Sequence, residues 1–155
     1  MTRQGYSTLT AILLAGLIAG TIDIGAATLI NGNDPRRILQ FIASGLLGKG
    51  VLQLGTEGIV LGMVLQWAMS IIIAAIFVIA SGGLSVLRRY WIGSGIAYGV
   101  VVFFVMNYAV VPLSMVHRVP QFNARGFTLN MLAMLLFGLI VAYFASRVRS
   151  VPAET

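Results

Sequence analysis

Four stretches of about twenty apolar residues, separated by turn-forming clusters, govern what this chain can become. They run from Leu9 to Ile30, Gly58 to Ala80, Trp91 to Leu113 and Phe127 to Ala145. At about 1.5 Å of rise per residue, each is long enough to cross the hydrocarbon core of a bilayer as a helix. The breaks carry turn chemistry: Asn31-Gly32-Asn33-Asp34-Pro35, Ser81-Gly82-Gly83, and the segment from Pro112 through His117 and Arg118 to Pro120. Composition agrees with the spans. Hydrophobic residues make up 59% and charged residues 9% of the chain, whereas a soluble domain is about half apolar and a quarter charged. So few charges cannot cover a water-facing surface. The expected fold is an all-α membrane protein, a single membrane domain over residues 1–155 with four transmembrane helices. Tyr90, Trp91 and Tyr143 lie near span ends, where amphipathic rings prefer the interface.

Between the first two spans, residues 35–57 are too short and too interrupted to cross. Their first part, PRRILQFIASGLLGKG, begins like a helix. Asp34 can cap it, and Pro35 suits the first helical position, where its missing N–H has no intrahelical role. Ile38, Phe41, Ile42, Gly45 and Leu46 fall at helical spacing on one face, with Arg36, Arg37 and Gln40 toward the start and Lys49 at the end. This spacing predicts a short interfacial or re-entrant amphipathic helix over about 35–48. A loop helix covering the end of the bundle is the plainer alternative.

A charge inside an apolar span is costly and is either hidden against other helices or used. Asp23 is such a charge. Gly16, Gly20, Asp23 and Ala27 follow one another at four, three and four residues, so the acid shares a face with a pair of small residues. Small residues four apart let helix backbones approach closely, which drives association in lipid. Such pairs recur as Gly58/Gly62 in the second span and Gly95/Gly99 in the third, with Gly138/Ala142 a looser version in the fourth. One such pair is a weak signal, but one in each of three spans predicts a tightly packed bundle, formed within the chain or with other subunits. Gln66 continues the row Gly58, Gly62, Gln66, Ser70, and Asn130 begins the row Asn130, Met134, Gly138, Ala142. Asn107 is rotated from the Gly99 row by about 80°. Counted from the span ends, Asp23, Gln66, Asn107 and Asn130 all fall in the half of the bilayer away from the chain termini. The expectation is a polar layer centred on Asp23, with Gln66 and Asn107 as its nearest partners.

Three roles compete for Asp23. It can fix helix register through bonds to amides and hydroxyls. It can line a small cavity that passes or senses protons, or that binds a polar headgroup. It can meet a partner subunit. The chain has no cysteine and one histidine, His117, so disulfides, thiolate metal sites and iron–sulfur clusters are excluded, and no metal or cofactor is expected. No Ser–His–Asp set, phosphate loop or dinucleotide fingerprint appears, so no enzyme activity is expected.

Ten basic residues stand against four acidic ones, a net charge of +6. In a membrane protein this excess points to anionic headgroups rather than nucleic acid, and the stacking-plus-basic pattern of single-strand binding is lacking. Arg36, Arg37, Arg88 and Arg89 are the expected headgroup contacts, and membrane lipids the expected partners. Arg3, Arg88, Arg89, Arg147 and Arg149 lie on the side of the termini, and Arg36, Arg37, Lys49, Arg118 and Arg125 on the other. The positive-inside rule is therefore evenly divided, and the close placement of the first set to span ends favours cytoplasmic termini. Arg3, the apolar run and Gly25-Ala26-Ala27 have the outline of a cleaved signal, but Asp23 just ahead of the small residues favours a retained span.

The segments AGLIAGTIDI (residues 15–24), PRRILQ (residues 35–40) and IASGLLG (residues 42–48), with Met106-Asn107-Tyr108 and Val111-Pro112-Leu113-Ser114, resemble a group of small bacterial membrane proteins distantly related to the YagU-like inner-membrane family. The resemblance covers most of the chain. It implies a four-span bacterial inner-membrane protein with an amphipathic segment after the first span, and it implies no reaction. Members often carry histidines near the positions of Gln66 and Ala133, and this chain has neither. That departure favours a structural or accessory role, docking through the glycine faces on a larger complex or on its own copies. The alternative is a small proton- or solute-conducting channel or pH sensor centred on Asp23.

Overall fold

The structure is a computed structural model that describes residues 5–117 and 123–149. Arg3, Arg118 and Pro120 lie outside the described residues. Four helices are long and apolar enough to cross a membrane: Thr8–Asn31, Gly55–Gly83, Trp91–Leu113 and Ala124–Ser146. The short helix lies between the first two, at Pro35–Leu47.

Local chemistry sets the helix ends. The Ser7 hydroxyl accepts from the Thr10 N–H at 3.1 Å and starts the first span. Gly32, at φ 62°, ends it in the left-handed region, where a side chain is disfavoured, and its N–H bonds the Thr28 carbonyl. Asp34 accepts from the Arg36 N–H at 2.9 Å and Pro35 follows at the first helical position, as the sequence predicts. The short helix closes at Gly48, at φ 78°, and a 3₁₀ turn, Lys49–Gln53, leads into the second span. Asn123 caps the fourth span by accepting from the Gly126 N–H at 2.7 Å.

Two details differ from expectation. The second span continues through Ser81-Gly82-Gly83 and breaks only at Leu84, before a single turn at Ser85–Arg89. Gly and Ser lower helix propensity by fractions of a kcal/mol, about 1 for Gly, and do not by themselves end a long membrane helix. The third span is not uniform. An α-helix over Trp91–Val105 opens into a π-helical turn at Met106–Val110, where the Val111 N–H reaches the Met106 carbonyl. Pro112 explains the change: it has no N–H, and in a regular helix its ring clashes with the carbonyl four residues back. The wider turn moves that carbonyl away.

The first span is the most enclosed of the four. It packs against the second and fourth spans, the third span packs mainly on the fourth, and the short helix lies on the second. The enclosure follows from small residues: Ala11, Ala15, Gly16, Ala19 and Gly20 are all buried. Ala15 and Ala19 share a core cluster with larger side chains, Phe77 and Val78 of the second span and Phe137 and Val141 of the fourth. The two ends of the described chain meet at one membrane face. Tyr6 donates to the Arg147 carbonyl at 2.9 Å, and Arg149 donates to the Tyr6 carbonyl at 3.0 Å.

The short helix buries a different face from the expected one. Leu39, Ala43 and Ser44 turn inward, whereas Phe41 and Leu46 of the predicted apolar face are exposed and Ile38 and Ile42 only partly covered. Gly62 decides the outcome, because the backbone at Leu39 lies directly against it. The far end of the short helix is held by the turn that follows the third span, where the Met115 N–H bonds the Gly45 carbonyl at 2.9 Å.

Candidate functional site

The contact between the first and second spans carries most of the polar chemistry inside the membrane. Both helices present small residues there. A Cβ on Gly20 would stand 2.5 Å from the Ser70 hydroxyl, and one on Gly16 would stand 2.6 Å from the Ile71 Cα. Backbones that approach this closely bring the next turn of each helix into hydrogen-bonding reach.

Gln66 and Asp23 occupy that next turn. The Gln66 amide donates to Asp23 Oδ2 at 2.9 Å and, more distantly, to the Gly20 carbonyl at 3.5 Å. Both residues are partly buried. Beside them the Trp67 indole N–H donates to the Thr21 hydroxyl at 3.2 Å, and Thr21 donates to the Leu17 carbonyl of its own helix at 2.7 Å. In an environment that supplies no water partners, each of these bonds favours one rotational and axial setting of the two helices.

The predicted four-residue layer is thereby reduced to a pair. Asn107 donates to the Phe103 carbonyl at 2.9 Å and Asn130 to the Gly126 carbonyl at 2.8 Å, each four residues back on its own helix. A short amide side chain reaches its own preceding turn easily, and this local bond competes with any longer one. Asn107 also lies on a span that packs mainly on the fourth rather than on the first, so similar depth does not bring it to Asp23.

Thr21, Trp67 and the pairing of Ser70 with Gly20 were not singled out by the sequence reading. The signal was present. An indole N–H in the middle of a span needs an acceptor, and Thr21 follows Gly20 directly, about 100° round the helix from it.

The glycine pairs build the bundle from within. Gly58 lies against the Val51 carbonyl, and Gly62 against the backbone of Leu39 in the short helix. A Cβ on Gly95 would meet the Gly138 carbonyl at 2.9 Å and the Ala142 Cβ at 3.0 Å, and one on Gly99 the Met134 carbonyl at 2.5 Å. All six predicted packing glycines therefore face other parts of this chain. The rows Gly58, Gly62, Gln66, Ser70 and Met134, Gly138, Ala142 are interfaces already occupied, not free surfaces for a second protein.

The predicted headgroup arginines divide between the two ends. Arg36 and Arg37 are exposed at the start of the short helix. Arg88 is partly buried and Arg89 exposed, on the face where the chain ends meet; the Arg89 guanidinium stands 5.6 Å from the centre of the Tyr90 ring. Arg147 lies similarly over Tyr143 at 5.0 Å, and Tyr143 packs edge-on against Trp91. This cluster of rings and cations has the composition of an interfacial belt.

No protein-family model, curated protein or solved structure matches the chain.

Proposed function

We propose that this chain is a non-catalytic component of a bacterial inner membrane, an accessory subunit or assembly factor of a larger complex or of a homo-oligomer, with both termini in the cytoplasm. The observation that carries this reading is the bonding of Asp23. The acid receives the Gln66 amide at a helix contact where glycine and serine pack backbone against side chain. An acid held there serves the setting of two helices, and the resemblance to YagU-like proteins without their histidines points the same way. Since the glycine rows face inward, a partner would meet the outer faces, such as Val60, Val64, Ile72 and Ile76 of the second span, or the polar ends.

The competing reading is a proton or solute conduit centred on Asp23, and one substitution separates the two. The wild-type protein in proteoliposomes with an entrapped pH dye is expected to give the proton leak of empty vesicles, and Asp23→Asn is expected to leave any cellular phenotype and any co-purifying partner unchanged. A pH-dependent flux in the wild type that Asp23→Asn abolishes, with insertion and folding intact, would replace the accessory reading by the conduit.

A further inference from the structure

At the membrane face away from the chain ends, a cleft of about 720 Å³ opens between the end of the first span, the start of the short helix and the turn after it. Its walls differ in character. Asn31, Asn33, Arg37 and Gln40 are its polar lining, and Ile38, Phe41 and Leu52 its apolar lining. The polar wall is fixed from behind. The Asn31 amide donates to the Ala27 carbonyl at 2.8 Å, and the Gln40 amide to the Leu54 and Gly55 carbonyls at 3.3 Å each.

Arg37 is the basic residue that lines the cleft. Among the described residues, nothing bonds its guanidinium. The nearest acid in sequence, Asp34, caps the helix through the Arg36 N–H at 2.9 Å. Other charges at this end, among the described residues, are Arg36, Lys49, Glu57 and Arg125, all exposed. Arg37 and Phe41 are one turn apart on the same side of the short helix, so cation and ring face the cleft together. The first span ends at Asn31, which puts the cleft at the boundary between hydrocarbon and headgroups.

We infer that the cleft binds one anionic phospholipid of the surrounding leaflet, with its phosphate on Arg37, the Asn33 amide and the second N–H of the Asn31 amide, and its glycerol and upper chains over Ile38, Phe41 and Leu52. A guanidinium fork with amide donors beside it matches the geometry of a phosphate diester. A water-borne anion would gain nothing from the apolar wall, whereas an amphiphile uses both. The volume lies within the about 300–1,000 Å³ usual for small-molecule sites. This assignment does not rest on the accessory role and holds equally for a conduit.

The probe is dioctanoyl-phosphatidylglycerol titrated into the full chain in maltoside detergent, followed by native mass spectrometry and by the thermal midpoint. Dioctanoyl-phosphatidylcholine and glycerol 1-phosphate are the comparison ligands. Saturable binding of phosphatidylglycerol is expected, with both comparison ligands at least about tenfold weaker. Arg37→Gln is expected to weaken phosphatidylglycerol about tenfold, the scale of one charge-assisted hydrogen-bonded contact. Arg37→Lys should fall between, and Arg125→Gln, an exposed cation at the start of the fourth span, should have no effect. The unliganded midpoint of each variant reports its folding. Should Arg37→Gln unfold, Phe41→Ala takes its place and is expected to weaken the lipid several-fold. Equal losses in Arg37→Gln and Arg125→Gln would overturn the site in favour of diffuse charge attraction. Equal binding of glycerol 1-phosphate would overturn the lipid, and equal binding of phosphatidylcholine would overturn the selectivity for anionic headgroups.

Discussion

Asp23 and Gln66 show what one bond between spans contributes in a bilayer. Lipid provides no hydrophobic force between helices, so packing and a few hydrogen bonds decide their alignment. Gln66→Leu removes the donor at 2.9 Å from Asp23 and is expected to cost about 0.6–1.7 kcal/mol, the range for hydrogen bonds between membrane helices. Asp23→Asn keeps an oxygen that the same amide can reach and should cost no more than about 0.6 kcal/mol. Reversible unfolding in mixed detergent micelles measures both, and the double change Asp23→Leu with Gln66→Leu should cost less than the sum of its parts because the two residues share one bond. At this scale the sequence was readable for residues placed by helical period. Spacing put Asp23 on the Gly16/Gly20 stripe and Gln66 on the Gly58/Gly62 row, and the two rows meet. It did not place Asn107 and Asn130 correctly. Depth along a helix is legible from position, but which neighbour a side chain faces depends on which helices are adjacent, and here a local carbonyl was closer for both asparagines.

Among the four spans, the third and fourth have the closest approach. A Cβ on Gly99 would stand 2.5 Å from the Met134 carbonyl and 2.8 Å from the Leu135 Cα. Backbone cannot yield as a flexible side chain does, so Gly99→Ala must push the spans apart and is expected to cost about 1–3 kcal/mol. Gly93, six residues earlier in the same span, has open space around it. Gly93→Ala should be neutral or should stabilise by up to about 1 kcal/mol through helix propensity. The same unfolding measurement on the two variants separates glycine used for contact from glycine that merely occurs in a span. The short helix carries the complementary lesson. Its existence and cap were legible in Asp34-Pro35, but its buried face was not, because Gly62 on another element selected Leu39 over the more apolar stripe. The π-helical turn was likewise hidden: Pro112 marks a disturbance, and only the backbone shows that it is absorbed by widening at Met106–Val110 rather than by a break.

For the whole molecule, four spans put both chain ends on one face, and Tyr6 with Arg147 and Arg149 shows them joined there. Because the chain lacks cysteine, single replacements report sidedness without background. Ser7→Cys and Arg149→Cys should both react with a membrane-impermeant maleimide from the cytoplasmic side, and Asn33→Cys and His117→Cys from the opposite side; the reverse pattern would invert the proposed orientation. The number of spans could be read from run length alone, since hydrocarbon thickness fixes how many apolar residues a crossing needs. The order of packing could not, because all four spans are similarly apolar and only the run of alanines and glycines in the first marks it as the most enclosed.

The bridge between the chain ends has a mechanical consequence. Tyr6 and Val148 run parallel, so the N-terminal side of one and the C-terminal side of the other leave the bridge in opposite directions. Tension applied to the two ends therefore loads the two backbone bonds in shear. The latch also transmits the load to the first and fourth spans together, so the bundle meets an outward pull as a closed loop rather than as a string of separate helices.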